Sequence, residues 1–207
     1  MGCYCGKWLG ITNMEQGMHL PEKRQSKEEA AVVLDFLPHG YPFDPRPSHR
    51  KTPVVQAIGK NHFTLLELVP KPGVFLQPLA EVYIGEGKRD QIHHIVGKLG
   101  IDKLTATAKT ELEFVVKDLV HKNEKRFVDF INAARPLTMR MHQLELLPGV
   151  GKKHMWEILE VREQKPFAGF ADLKGRVKLM PDPEKAIIKR ILAELAGTEK
   201  HNVFVDV

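Results

Sequence analysis

The chain has 207 residues, of which 43% are hydrophobic and 28% are charged, a balance typical of a folded protein rather than a disordered one. No apolar run approaches the roughly 18 residues that span a bilayer, and no signal-peptide pattern opens the chain, so we expect neither membrane insertion nor secretion. The net charge of +5 is compatible with a polyanionic partner but does not require one.

Residues 1–28 mix glycine, polar and charged residues without periodicity, and they predict a flexible leader. They contain both cysteines of the chain, Cys3 and Cys5, which are too close in sequence to bridge easily. A tetrahedral zinc site needs two further ligands, and no second cysteine pair follows. We therefore expect a reducing, cytoplasmic location, with no metal and no other cofactor.

Five short segments rich in β-forming residues predict a small, closed or nearly closed β-barrel of the OB-like type over residues 29–109. A helix is expected between the last two strands, and it would carry His93 and His94. Adjacent side chains on a helix point in different directions, so we do not expect this pair to share a metal ion. The predicted strands are 30–37, 54–58, 63–69, 81–84 and 104–107.

Five prolines in residues 38–53 prevent a helix and predict a long ordered loop between the first two strands. Its basic and aromatic side chains suit contacts with a nucleic-acid strand, and the alternative is a rigid, proline-braced surface lid. Residues 85–89 lack the spacing of a nucleotide-hydrolysing phosphate loop and predict a strand-to-helix turn with two cations. The candidate strand contacts are Tyr41, Phe43, Arg46, His49, Arg50, Lys51, Lys88 and Arg89.

Beyond residue 109 the apolar spacing changes to a helical period. Thr110 and Glu113 form a capping-box pattern, and Thr138 and Asp182-Pro183 are further helix-start signals. The alternating residues 203–205 favour one more strand. The expected parts are a connecting helix or helix pair over 110–137, a helical domain over 138–197 with helices beginning near 138, 152 and 183, and a tail over 198–207.

The most specific segment is LELLPGVGKK, residues 144–153, between two expected helices. Glycines adopt backbone angles that other residues resist, so this loop can turn tightly and direct backbone N–H groups outward from the next helix. Such a nest suits a phosphate, and the missing side chains leave room for a sugar-phosphate backbone. The alternatives are a plain turn between packed helices and a hairpin used for protein contact. The candidate backbone-binding residues are Gly149, Val150, Gly151, Lys152 and Lys153, of which Val150 is also expected in the core.

Residues 139–164 resemble the helix-hairpin-helix motif, which binds nucleic-acid backbones without reading bases. Met155 departs from the motif, which usually has a small residue there, and this implies a wider helix crossing or a neighbour that makes room. Residues 166–182 resemble the start of the partner half in paired domains of this type. A barrel followed by such a module is similar to an uncharacterised archaeal family thought to bind RNA, and this resemblance implies no established biochemistry.

We therefore expect a non-enzymatic protein that binds nucleic acid, with RNA favoured because small barrels bind single strands and because the resemblance points that way. No catalytic residue is expected, since neither a serine–histidine–aspartate order nor a carboxylate cluster is evident. Three alternatives stay open. They are an accessory protein of repair or replication that binds duplex or junction DNA, a nuclease with an acidic metal cluster, and a scaffold for ribosomal or transcription proteins.

Overall fold

A five-stranded antiparallel sheet forms the first half of the fold in the computed structural model, which describes residues 27–42, 44–45, 47 and 51–206. The strands are β1 (Ala30–Leu37), β2 (Val54–Gly59), β3 (Leu65–Pro70), β4 (Glu81–Tyr83) and β5 (Ile92–Lys98). Their order, β4-β1-β2-β3-β5, leaves β4 and β5 as the edges of a curled half-barrel. The mixed α+β class is confirmed, with helices following the sheet in sequence.

The first four predicted strands are confirmed near their expected bounds, whereas the strand predicted over 104–107 is wrong. Leu104 lies in the core, and Thr105 is the N-cap of the first helix, with its hydroxyl accepting from the Ala108 N–H at 3.0 Å. The fifth strand is β5, so His93 and His94 lie on a strand and not on a helix. Because β5 is an exposed edge strand, its side chains lack the apolar alternation that identifies a strand.

Both faces of the sheet are covered by apolar side chains. All six residues of β2 are buried, because one face lines the inside of the curl and the other packs on helices. A bulge in β1 at Leu34 shifts the register between Val33 and Asp35. The Asp35 carboxylate accepts from the Thr105 hydroxyl at 2.6 Å and so joins the sheet to the start of the first helix.

Five α-helices follow in the described part of the chain: α1 (Ala106–Lys122), α2 (Glu124–Ala133), α3 (Lys152–Gln164), α4 (Phe170–Arg176) and α5 (Pro183–Leu195). The predicted starts of α3 and α5 are confirmed, and the Asp182 side chain caps α5 by accepting from the Lys185 N–H at 3.2 Å. The predicted cap at Thr110 is wrong, since α1 begins at Ala106 and the Thr110 hydroxyl donates back to the Ala106 carbonyl. None of these helices is long and apolar enough to cross a membrane.

The helix predicted to begin at Thr138 is also wrong. A two-stranded ribbon, β6 (Pro136–Thr138) and β7 (Met141–His142), leads into a 3-10 turn, Gln143–Leu146. The Thr138 hydroxyl oxygen accepts from the backbone N–H groups of Arg140 and Met141 at 3.2 and 3.1 Å. The hydroxyl therefore closes the ribbon turn instead of capping a helix.

One hydrophobic core joins the sheet, all five helices and the tail. Residues 203–205 do not form the predicted strand, because their N–H groups donate to the Glu194 carboxylate at 2.9 to 3.0 Å. Phe204 packs against Phe127 and Phe130, with ring centroids 5.4 and 5.0 Å away. The predicted domain boundaries after residues 109, 137 and 197 stay predictions, and the shared core crosses each of them.

Candidate functional site

The hairpin loop, residues 147–151, joins the 3-10 turn to α3. Its turn is closed by the Val150 N–H, which donates to the Leu147 carbonyl at 3.0 Å. Leu147 and Val150 are both buried, while Gly149 and Gly151 are exposed. Gly149 has a φ of +86°, a left-handed angle that favours glycine. Two buried apolar side chains thus anchor the hairpin loop, and its glycines face solvent.

The N-terminus of α3 lies open beside this loop. Gly151 is the N-cap without a side-chain cap, and a Cβ built there would meet nothing within 4 Å. The first intrahelical bond runs from the Met155 N–H to the Gly151 carbonyl, so the backbone N–H groups of residues 152–154 point beyond the helix end. Lys152 and Lys153 are exposed in the first turn, which contains no acidic residue. Backbone donors, the helix dipole and two cations share this end.

A second loop, residues 177–182, joins α4 to α5 and touches the hairpin loop. Leu179 in this loop has a φ of +55° and is exposed. A Cβ built on Gly149 would lie 3.3 Å from Pro181 Cγ, so the two loops are in close contact. The Lys178 N–H also donates to the Glu157 carboxylate of α3 at 2.7 Å. The loops that enter α3 and α5 therefore lie side by side.

A pocket of about 550 Å³ lies beside the hairpin loop, between the β6–β7 ribbon and α3. Trp156 lines it with 66% of its surface exposed, and Met139 and Met141 are exposed on the ribbon side. The sequence interpretation missed this surface. Lys152 and Trp156 stand four residues apart and share one face of α3, a spacing that could have indicated it. Met155 is buried and lines this pocket. A 3-10 turn precedes the hairpin loop, where the motif resemblance implied a full helix.

Buried and partly buried polar groups fix the geometry of this pocket. The Arg162 guanidinium donates to the carbonyls of Ile131 and Ala134 at 2.8 and 2.9 Å, which ties α3 to the end of α2. Burial lowers the pKa of Arg162, although a guanidinium remains protonated at neutral pH. The His142 ring accepts from the Leu144 backbone N–H at 3.2 Å, and the Glu145 carboxylate accepts from the backbone N–H of His142 at 2.9 Å. The ribbon is therefore held at both ends.

A pH dependence of stability follows from His142. Burial, and next the nearby Arg162 charge, lowers the pKa of His142 from its ordinary value, while Glu145 opposes the shift. The unfolded chain, with a histidine pKa of about 6.5, takes up the proton first as pH falls. We expect stability to drop below about pH 6.5 and to level off below the folded pKa. Asparagine in His142→Asn can still cap the turn but does not titrate. The urea midpoint of this variant should therefore fall less with decreasing pH than the midpoint of the unmodified protein. An equal drop in both proteins would assign it to other groups.

The two described candidate contacts of the proline-rich loop have structural partners. The Tyr41 hydroxyl donates to the Glu67 carboxylate at 2.8 Å and accepts from the Gln56 amide at 3.2 Å, and burial raises the pKa of Tyr41. The Lys51 ammonium donates to the Tyr41 carbonyl at 3.3 Å. These bonds brace the loop against the sheet, and nucleic-acid contact by Tyr41 and Lys51 stays a prediction. The other candidates of this loop, Phe43, Arg46, His49 and Arg50, lie outside the described residues.

Lys88 and Arg89 lie in the connection from β4 to β5, so the turn predicted there leads into a strand and not into a helix. The Arg89 side chain donates to the Gly85 carbonyl at 2.9 Å, whereas Lys88 is exposed. A Cβ at Gly85 would lie 2.4 Å from the Tyr83 hydroxyl, so this glycine makes room for a side chain of its own sheet. Tyr41, Arg89 and Lys152 line three different pockets, so these three candidates, all within the described residues, do not share one cleft.

The histidine pair lies on the exposed edge of the sheet. The Nδ1 atoms of His93 and His94 are 2.8 Å apart, which allows one hydrogen bond between the rings. Among the described residues, no group of three or more histidine, cysteine or acidic side chains is placed to hold a metal ion. Nothing in this arrangement adds a third ligand to the two imidazoles within that part of the chain.

Comparison with known proteins gives relatives of the whole fold. A family model described as "Protein of unknown function (DUF655)" matches residues 27–206. The chain is 43% identical over 193 residues to the uncharacterised protein MJ0038 of Methanocaldococcus jannaschii, covering 92% of this chain and 86% of that protein. It is similar to the crystal structure of Af1531 from Archaeoglobus fulgidus, with a TM-score of 0.77 and 46% identity over 86% of this chain and 100% of that one.

Proposed function

The chain belongs to DUF655, a family of unknown function, so we propose a function from the surface of the structure. We propose that the protein is non-enzymatic, binds nucleic acid and holds a backbone phosphate at the hairpin loop. The uncapped N-terminus of α3 carries this proposal, since it presents backbone N–H groups and two exposed lysines to open space. Phosphates bind at such helix ends because amide donors and the helix dipole both favour an anion.

The finer fold assignment belongs to the same proposal. In it, the curled sheet is an OB-like half-barrel, and residues 138–197 are a paired helix-hairpin-helix module. The contact between Gly149 and Pro181 supports the pairing, because it joins the two loops that enter α3 and α5. The 3-10 turn Gln143–Leu146 would replace the first helix of the first unit.

Phosphate contacts give affinity without reading sequence, so the hairpin loop would bind many sequences alike. The exposed Trp156 beside it favours a strand with unpaired bases, which an aromatic ring can stack against and a closed duplex does not offer. Unpaired bases in loops, bulges and ends are typical targets of RNA-binding proteins. RNA is therefore the partner that we propose.

The direct test is fluorescence-anisotropy titration of the purified protein against matched single-stranded RNA, structured RNA with a loop, and duplex DNA. We expect salt-sensitive binding that is tightest to the RNAs with unpaired bases. Tighter binding to duplex or junction DNA would instead favour an accessory role in repair or replication. Absence of binding to all three at micromolar protein would contradict the proposal and favour a protein scaffold.

The lysine pair gives a more specific expectation. For Lys152→Gln/Lys153→Gln, the slope of log K against log salt should become shallower by about 1–2. Each phosphate contact releases about 0.7–0.9 of a counterion from the nucleic acid, and this release is lost with the contact. The matched control is Lys109→Gln/Lys117→Gln, which removes the same charge from two exposed positions on α1. Titrations at several salt concentrations measure both slopes. Equal slopes for the two double variants would show that the hairpin lysines make no special contact.

A further inference from the structure

We propose that the pocket between the β6–β7 ribbon and α3 binds one unpaired base of a nucleic-acid strand, stacked on the indole of Trp156. The pocket is a different surface from the hairpin loop, although Lys152 borders both. This inference rests on the proposed function, because the strand that supplies the base would be the strand whose phosphate lies at the N-terminus of α3.

The placement of Trp156 on α3 is the first support. Lys152 and Trp156 are one helical turn apart, about 6 Å along the axis, and lie on the same face. A phosphate at the first turn would therefore leave an adjacent base within reach of the indole. With 66% of its surface exposed, Trp156 keeps a ring face open for stacking.

The walls of the pocket are apolar where a base would lie. Met139 and Met141 are exposed on the ribbon, and Leu159 lines the α3 side. Exposed apolar side chains that cluster in this way mark binding surfaces more often than chance exposure. The volume of about 550 Å³ lies within the range of about 300–1,000 Å³ that small-ligand pockets occupy.

The charge around the pocket identifies the occupant as part of a polyanion. Arg140, Lys152 and Arg162 border the pocket, against the single carboxylate of Glu145. Arg162 is fixed by its two backbone carbonyl acceptors on the α2 side, so its charge is held in place. An apolar peptide would not need this positive rim, whereas the phosphates on either side of a stacked base would.

Replacement of Trp156 tests the proposal with a short single-stranded RNA, the same RNA with abasic positions, the matching single-stranded DNA, and duplex DNA. Trp156→Ala should weaken binding to both base-bearing single strands by about 5- to 140-fold, the effect of about 1–3 kcal/mol of stacking per base. It should leave the abasic RNA and the duplex nearly unchanged, and Trp156→Phe should restore part of the affinity. Phe114→Ala, at another exposed aromatic residue on α1, is the control.

Indole fluorescence gives an independent measurement. The chain has two tryptophans, so Trp8→Phe leaves Trp156 as the sole indole. Single-stranded RNA should quench its emission, and the abasic RNA should not. A Trp156→Ala variant that binds every probe as the unmodified protein does would overturn the base pocket, and the hairpin proposal would stand if the lysine pair still matters. Failure of the unmodified protein to bind any probe would overturn both. Equal losses for single strands and the duplex would also overturn the base pocket.

Discussion

Glu194→Gln is expected to lower the free energy of unfolding by about 3–5 kcal/mol, the range for breaking a buried ion pair. The Glu194 carboxylate is 1% exposed and accepts from the Arg190 Nε at 2.8 Å and from three backbone N–H groups of the tail. A glutamine amide has one acceptor oxygen, and its nitrogen would face N–H donors. The loss of stability has two causes: buried N–H donors are left without acceptors, and the buried charge of Arg190 loses the opposite charge beside it.

Urea unfolding measures this loss, and Glu199→Gln is its matched control. Glu199 contacts the same Arg190 at 2.7 Å, but its side chain is about one-third exposed. We expect the control to cost less than about 1 kcal/mol, because solvent reaches the Glu199 carboxylate and screens its charge. Equal shifts of the two urea midpoints would contradict the special role of the buried carboxylate.

The Arg190–Glu194 pair also bears on function because it reaches the hairpin loop. The Arg190 guanidinium donates to the Leu146 carbonyl at 3.1 Å, directly before the loop, and to the His201 carbonyl in the tail. One buried side chain thus holds the entry to the loop, the last helix and the tail together. The proposed phosphate contact would be preorganised by this network rather than formed on binding.

Local signals made the hairpin loop and its helices predictable from the sequence. Two glycines around Val150 indicate a tight turn, and Asp182-Pro183 indicates a helix start, whatever lies elsewhere in the chain. The starts of α3 and α5 follow from these residues alone. The helix start predicted at Thr110 is wrong because this capping pattern lies inside α1, whose N-cap is Thr105.

The remaining features depend on partners distant in sequence. β5 is a strand because it pairs with β3, and its own exposed side chains do not predict one. Residues 203–205 alternate as a strand would, yet Glu194 takes their N–H groups. The pocket at Trp156 combines the β6–β7 ribbon with α3, and Arg162 of α3 is fixed by the distant carbonyls of Ile131 and Ala134. No short-range pattern contains these contacts.

Gly151→Asp is expected to abolish most nucleic-acid binding while leaving the fold intact. Gly151 has a φ of −89° and free space where a Cβ would lie, so aspartate fits without strain. Aspartate is a preferred N-cap, and relative to glycine it should stabilise α3 by a few tenths of a kcal/mol. The same carboxylate would occupy the proposed phosphate position and repel the strand. Stability and affinity should therefore change in opposite directions.

The expected loss of affinity is about 3 kcal/mol, or more than about hundredfold in Kd, because like charges placed together cost several kcal/mol. Gly151→Asn is the neutral control: it caps the helix and adds similar bulk, so the difference between the two variants isolates the charge at this position. Gly175→Asp, at an open, exposed position on α4, controls for the change in net charge. Anisotropy titration and urea unfolding of all three variants separate these effects. If aspartate and asparagine at position 151 bind RNA equally well, no phosphate lies at the N-terminus of α3, and the hairpin loop serves packing alone.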